Sequence, residues 1–123
     1  MLFRSIEVWG DGSSVRDFVH AKDVARGMIF AVENKITKPL NIGSGSGVKI
    51  KELAEIVAEY FGKEIEWLTD KPSGDAKRIF SMERARSYGF ENQVPLKEGV
   101  IDAIEWFLKN KDIVDQRYNI LNK

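Results

Sequence analysis

Arg16 is the first residue whose surroundings suggest chemistry. It follows the turn cluster Gly10-Asp11-Gly12-Ser13-Ser14 and lies among Asp11, Asp17 and Asp23. A guanidinium held near a turn can fork onto two phosphate oxygens. The plainer alternative is a surface ion pair of small value. A second group of cations lies in Lys71-Pro72-Ser73-Gly74-Asp75-Ala76-Lys77-Arg78. This loop could place its three cations, Lys71, Lys77 and Arg78, on a diphosphate and Asp75 on a ribose hydroxyl, or it could simply be a solvated turn. Trp9, beside Gly10, can stack on a base, although a tryptophan more often fills a core.

The stretch Pro39–Gly62, PLNIGSGSGVKIKELAEIVAEYFG, offers a different chemistry. Strand, glycine loop and helix is the order in which dinucleotide-binding proteins cradle a pyrophosphate. Gly43 and Gly45 match the first two glycines of G-x-G-x-x-G, but Val48 stands where the third belongs and Gly47 comes one residue early. Asp70, after the next strand, would be the ribose ligand. The competing reading is a strand-to-helix turn that needs positive φ. It is favoured because the preceding strand is short and no third apolar strand follows.

Other chemistries have little support. With no cysteine there are no disulfides or thiolate metal sites, and a single histidine makes a histidine-based metal site a poor reading. His20 has no nucleophile beside it, and G-x-S-x-G is absent. Asp11, Asp17 and Asp23 are six residues apart, but the intervening turns argue against one shared ion. Lysine plus arginine and aspartate plus glutamate number 19 each, so no global field favours nucleic acid or a membrane. Any anion site must be a local cluster.

These residues need elements to position them. Ile6–Trp9 alternates as a strand, and Arg16–His20 is extended. Ala21, Val24, Ala25, Met28, Ile29 and Val32 mark a helix over Ala21–Asn34. Pro39–Ile42 reads as a strand. Ile50, Leu53, Ala54, Val57 and Phe61 mark a helix closed by Gly62. Glu64–Leu68 is a strand and Thr69–Lys77 a polar loop. Met82–Tyr88 is a short helix ending at Gly89. After Pro95, a stripe of Leu96, Val100, Ile101, Ile104 and Leu108 predicts the last helix, with a partly frayed helical tail from Asp112. Trp67, Trp106 and Phe107 are expected to be packing residues.

The fold class is therefore mixed α and β, with about three main helices and several short strands. At 123 residues and 43% hydrophobic content, the chain suits one domain, which should bury roughly two-thirds of its unfolded surface. No apolar run approaches the roughly 20 residues of a membrane span. Met1-Leu2-Phe3-Arg4 is too short for a signal peptide. The expected location is the cytoplasm. The first strand begins almost at Met1, which hints at a missing upstream part.

Taken together, these stretches resemble one family. IEVWGDGSSVRDFVHAKDVARGM looks like the V-(W/Y)-G-x-G-x-x-x-R-(D/E)-(F/Y)-(V/L/I)-(H/Y)-V-x-D-x-A segment of extended short-chain dehydrogenase/reductases that act on nucleotide sugars. PLNIG resembles their YNIG strand end. KPSGDAKRIFSMERARSYGF and VPLKEGVIDAIEWFLKN resemble stretches of the GDP-fucose synthase branch. The resemblance runs from about Ile6 to Asp112. It implies a partial fold of that family and gives roles to particular residues. Arg16 matches the arginine on the substrate diphosphate, and Arg78 a basic residue that also reaches the phosphates. Lys71 matches the lysine opening that loop, and Trp9 an aromatic close to the base. Asp75 matches a ribose-binding aspartate of the epimerase branch, although Pro72 stands where that branch has arginine. The resemblance also moves GSGSG from the cofactor site to the turn after YNIG.

The departures carry equal weight. The family's cofactor fingerprint and its Y-x-x-x-K pair are absent: Tyr60 is followed by Glu64, Tyr88 by Asn92 and Tyr118 by Asn122. The expectation is that residues 1–123 are one C-terminal, substrate-binding region without its N-terminal Rossmann domain. It would bind a nucleoside diphosphate sugar, hold no cofactor alone, and not catalyse alone. NAD(P) is implied for the complete enzyme. The Rossmann half would join in cis or in trans, and its exposed docking face makes self-association plausible. Nucleic acid and membrane are not expected partners. The alternative is a stand-alone interaction or structural domain, or one subunit of a split enzyme.

Overall fold

The computed structural model describes residues 4–120. Strand β1 (Ser5–Trp9) is followed by β2 (Val15–Arg16), helix α1 (Ala21–Glu33), β3 (Val48–Lys49), α2 (Ile50–Phe61), β4 (Glu64–Leu68), α3 (Glu83–Ser87) and α4 (Leu96–Ile120). β1 pairs in parallel with β4, from Ser5↔Glu64 to Trp9↔Leu68. β2 pairs antiparallel with β3 through Val15↔Lys49 and Arg16↔Val48. The mixed class expected from the sequence is what the structure shows.

Each main helix follows from its sequence. α1 opens on His20, whose Nδ1 accepts from the Lys22 amide at 3.0 Å. That leaves the ring's Nε2 to donate to Asp102 of α4 at 2.9 Å, so one imidazole caps one helix and ties it to another. In α2, Glu52 reaches back to the Lys49 amide at 3.4 Å, and Gly62 ends the helix in the left-handed conformation. The first α2 amides are also satisfied, Ile50 by the Ser14 carbonyl at 2.9 Å and Lys51 by the Gly12 carbonyl at 3.0 Å. α4 carries a non-helical residue, Asn110, inside its length. The expected helical tail from Asp112 is present to Ile120. The reading of Met1–Phe3 lies outside the described residues.

Three expectations are corrected. Pro39–Ile42 forms no strand. Its polar contacts each involve a side chain and so form no ladder: the Pro39 carbonyl accepts from Arg84 Nη1 of α3 at 2.5 Å, and Asn41 Nδ2 donates to the Ser81 carbonyl, just before α3, at 3.3 Å. Leu40 and Ile42, with Phe30, pack onto the buried cluster of Met82, Ala85 and Phe90. Without a ladder partner there is no strand, however suitable the residues. Second, the glycine loop runs into β3 and not directly into a helix. Third, Trp106 and Phe107 are about half exposed, because no described element covers their face of α4.

The α1 stripe shows the same effect more strongly. The periodicity correctly marks a helix, but the buried positions are Asp23 and Gly27. Ala21, Ala25, Met28, Ile29 and Val32 all face outward, Val32 being 79% exposed. The whole chain leaves 9401 Å² accessible, against roughly 6,700 Å² for a compact monomer of this mass. The fraction buried is thus about one half rather than two-thirds. Among the described residues, no helix is long and apolar enough to cross a membrane.

Candidate functional site

The candidate site is built around Val15. Its amide donates to the Ala76 carbonyl and its carbonyl accepts from the Arg78 amide, both at 2.9 Å. Val15 also bridges Lys77 in parallel. The short strand β2 is therefore held by β3 on one side and by the 76–78 segment on the other. This brings Arg16 and Arg78, 62 residues apart in sequence, into one place.

Both arginines meet at Asp75. Arg16 Nη1 donates to the Asp75 backbone carbonyl at 2.6 Å and to the Val15 carbonyl at 2.9 Å. Arg78 Nη2 pairs with the Asp75 carboxylate. Gly74 turns the loop at φ +76°, and a side chain there would meet Arg16 Nη2 at 3.2 Å. Ser14 Oγ donates to the Ser73 carbonyl at 3.2 Å and so anchors the same loop to the glycine turn. Lys71 sits at the start of this loop, its amide on the Leu68 carbonyl at the end of β4. Its side chain is exposed. Trp9 ends β1 opposite Leu68 and is 60% exposed, so it does not fill a core as a tryptophan commonly does.

The glycine loop has an anion of its own. Asp17, next to Arg16, accepts from the Ser44 amide and Ser44 Oγ, each at 2.7 Å, from the Gly45 amide at 3.0 Å and from the Phe80 amide at 3.2 Å. Gly45 adopts φ +71°, and a Cβ there would collide with Arg86 Nη2 and Met82. The loop amides that a pyrophosphate cradle would use are thus taken by a carboxylate, and the first two α2 amides by carbonyls. This loop does not fit a nicotinamide dinucleotide.

Sequence reasoning missed the part that Asp17 and Asp23 play. Asp23 is 1% exposed and accepts from the amides of Gln93 at 3.1 Å and Val94 at 3.0 Å, and from Arg26 Nη1 at 2.7 Å. It ties α1 to the segment leading into α4. The only available signal was the acid at a fixed place in the family-like motif. Asp11 bonds to Ser13 instead, so the three evenly spaced aspartates serve three separate places. Among the described residues, no group of three His, Cys, Asp or Glu could hold a metal.

Burial opposes the charge on Asp17 and Asp23, but their hydrogen bonds outweigh it. For Asp17 the donors are Ser44, Gly45 and Phe80; for Asp23 they are Val94, Gln93 and Arg26. Both carboxyls lie below their ordinary pKa. A lowered folded-state value contributes stability above the unfolded pKa of about 3.9, and that stability is lost as pH falls through the folded value. Urea midpoints should therefore hold from neutral pH down to about pH 5 and decline below about pH 4. Asp17→Asn should flatten that decline. An acid limb of unchanged slope in this variant would show that Asp17 does not contribute.

The profile of the NAD dependent epimerase/dehydratase family matches residues 2–43. GDP-L-fucose synthase 1 of Arabidopsis thaliana is 36% identical over 108 residues, which cover 85% of this chain and 33% of that protein. A GDP-6-OMe-4-keto-L-xylo-heptose reductase from C. jejuni superposes with a TM-score of 0.76 at 28% identity, over 87% of this chain and 34% of its own. MoeE5, solved with UDP-glucuronic acid and NAD, gives 0.68 at 28% identity, over 86% and 37%. The chain spans about a third of the length of the relatives it matches. The chain is thus similar, over about a third of their length, to nucleotide-sugar epimerases and reductases, and over residues 2–43 to the NAD dependent epimerase/dehydratase family.

Proposed function

We propose that this chain is a substrate-binding region that holds the nucleoside diphosphate of a nucleotide sugar. The observation that carries this reading is the meeting of Arg16 and Arg78 at one residue, Asp75. Two guanidiniums within reach of one point can share a diphosphate, each supplying paired donors. Lys71 adds a third cation at the loop's start, and exposed Trp9 offers a face for the base. Asp75 would reach a ribose hydroxyl on the resemblance alone. The sugar would extend from the anchored diphosphate toward chemistry supplied elsewhere, since remote binding positions a reacting group.

The complementary part would be a Rossmann half, in cis or in trans, bringing NAD(P) and the acid–base pair. The outward stripe of α1, from Ala21 to Val32, is the surface proposed to receive it. Without that half the chain should self-associate through this stripe as concentration rises. Sedimentation would read this directly, and a strictly monomeric species at high concentration would count against the docking face.

The binding reading is tested by titrating GDP, UDP and dTDP while following tryptophan fluorescence. A saturable change with at least one nucleotide is expected, and Trp9→Phe should reduce it. No response to any of the three would favour a stand-alone interaction domain.

A further inference from the structure

We propose that Asp75 is a displaceable latch: its carboxylate and a diphosphate compete for the same guanidinium, that of Arg78. This rests on the nucleotide-binding reading above and changes the part Asp75 plays in it. The backbone around Asp75 is tied down at three places. Ser14 Oγ holds the Ser73 carbonyl, Arg16 Nη1 holds the Asp75 carbonyl and the Val15 amide holds the Ala76 carbonyl. With the main chain anchored, what remains free to move is the Asp75 side chain. It sits three residues before Arg78 and keeps that guanidinium on the same residue as Arg16.

The pair is built for exchange. The side chains of Arg78 and Asp75 are 70% and 62% exposed, so water screens them and their bond is weak. A diphosphate carries more charge than one carboxylate and can take both arginines together. A carboxylate directed at the ribose would have to leave Arg78, and would then stand close to the phosphates as a like charge. The latch predicts the opposite sign of effect from a ribose contact.

The experiment is a calorimetric titration of the full chain with inorganic pyrophosphate and with GDP. It compares wild type, Asp75→Asn, Arg78→Ala and the double variant, with urea unfolding as the check on folding. Asp75→Asn is expected to tighten both ligands by about two- to fivefold, the worth of an exposed pair. In the Arg78→Ala background the same change should have no effect. Weaker GDP binding with unchanged pyrophosphate binding would make Asp75 a ribose ligand and overturn the latch. An equal gain with and without Arg78 would reduce it to general charge repulsion and also overturn it. Pyrophosphate binding to neither wild type nor Asp75→Asn would overturn it as well. If pyrophosphate shows the expected shifts but no nucleotide binds, the latch stands and the nucleotide reading alone falls.

Discussion

Replacing Arg16 by alanine is expected to weaken binding of a nucleoside diphosphate by about 10- to 150-fold, the value of hydrogen bonds made to a charged group. Arg16 is half-buried and bonded to the Asp75 and Val15 carbonyls, so its guanidinium is already oriented before a ligand arrives. Little side-chain freedom remains to be lost on binding. Arg16→Lys keeps the charge but not the planar fork, and should recover only part of the loss. Titration with GDP measures both variants. The alanine variant also loses a tie to the 73–76 loop, so its thermal transition must be followed in parallel. Equal affinity in Arg16→Ala and wild type would remove this residue from the site.

The largest effect on stability is expected at Asp23. Asp23→Ala would strand the amides of Gln93 and Val94 and leave Arg26 without its carboxylate. Breaking a buried pair on one side costs about 3–5 kcal/mol. Arg26 retains some hydration, which places the expected loss near the lower end, about 3 kcal/mol. That is a large share of the roughly 5–15 kcal/mol available to a domain. Arg26→Ala should cost less, since both amides would keep their acceptor. Urea denaturation compares the two. An Asp23→Ala midpoint equal to that of wild type would show that the bonds at Gln93 and Val94 contribute nothing.

The sequence reveals local structure well and long-range polar contacts poorly. The 3.6-residue period locates α1 and α2 to within a residue of their observed ends, and Gly62 marks its terminus because only a left-handed residue closes the helix there. Periodicity cannot say which side of α1 the rest of the chain will cover. The apolar side is left open, and Asp23 and Gly27 are buried. Pro39–Ile42 has the composition of a strand, but a strand also requires a neighbour with a free edge, and Arg84 of α3 and the Ser81 carbonyl before it stand there. In the site, the residue types at Arg16 and Arg78 suggested phosphate chemistry, and the family-like motifs supplied their roles. Their meeting through Val15 was beyond reach, because it depends on backbone bonds between residues about 60 apart. Asp17 was hidden for the same reason: beside the Ser44 hydroxyl, its partners are amides at positions 44, 45 and 80, and an amide leaves no trace in residue type.

The carboxylate of Asp17 also bears on how the glycine loop could ever be regulated from outside. A free anion seeking the Ser44 and Gly45 amides competes with a ligand that is part of the same chain. Even a flexible tether holds its ligand at an effective concentration in the millimolar range. This one is fixed further by the β2–β3 pairing that flanks it. The loop therefore behaves as a site already saturated by an internal occupant, and changes in phosphate or nucleotide supply pass it by. In the proposed reading, responsiveness to solutes is left to the exposed cations on the other side of β2, where the resident carboxylate is held by a single screened contact.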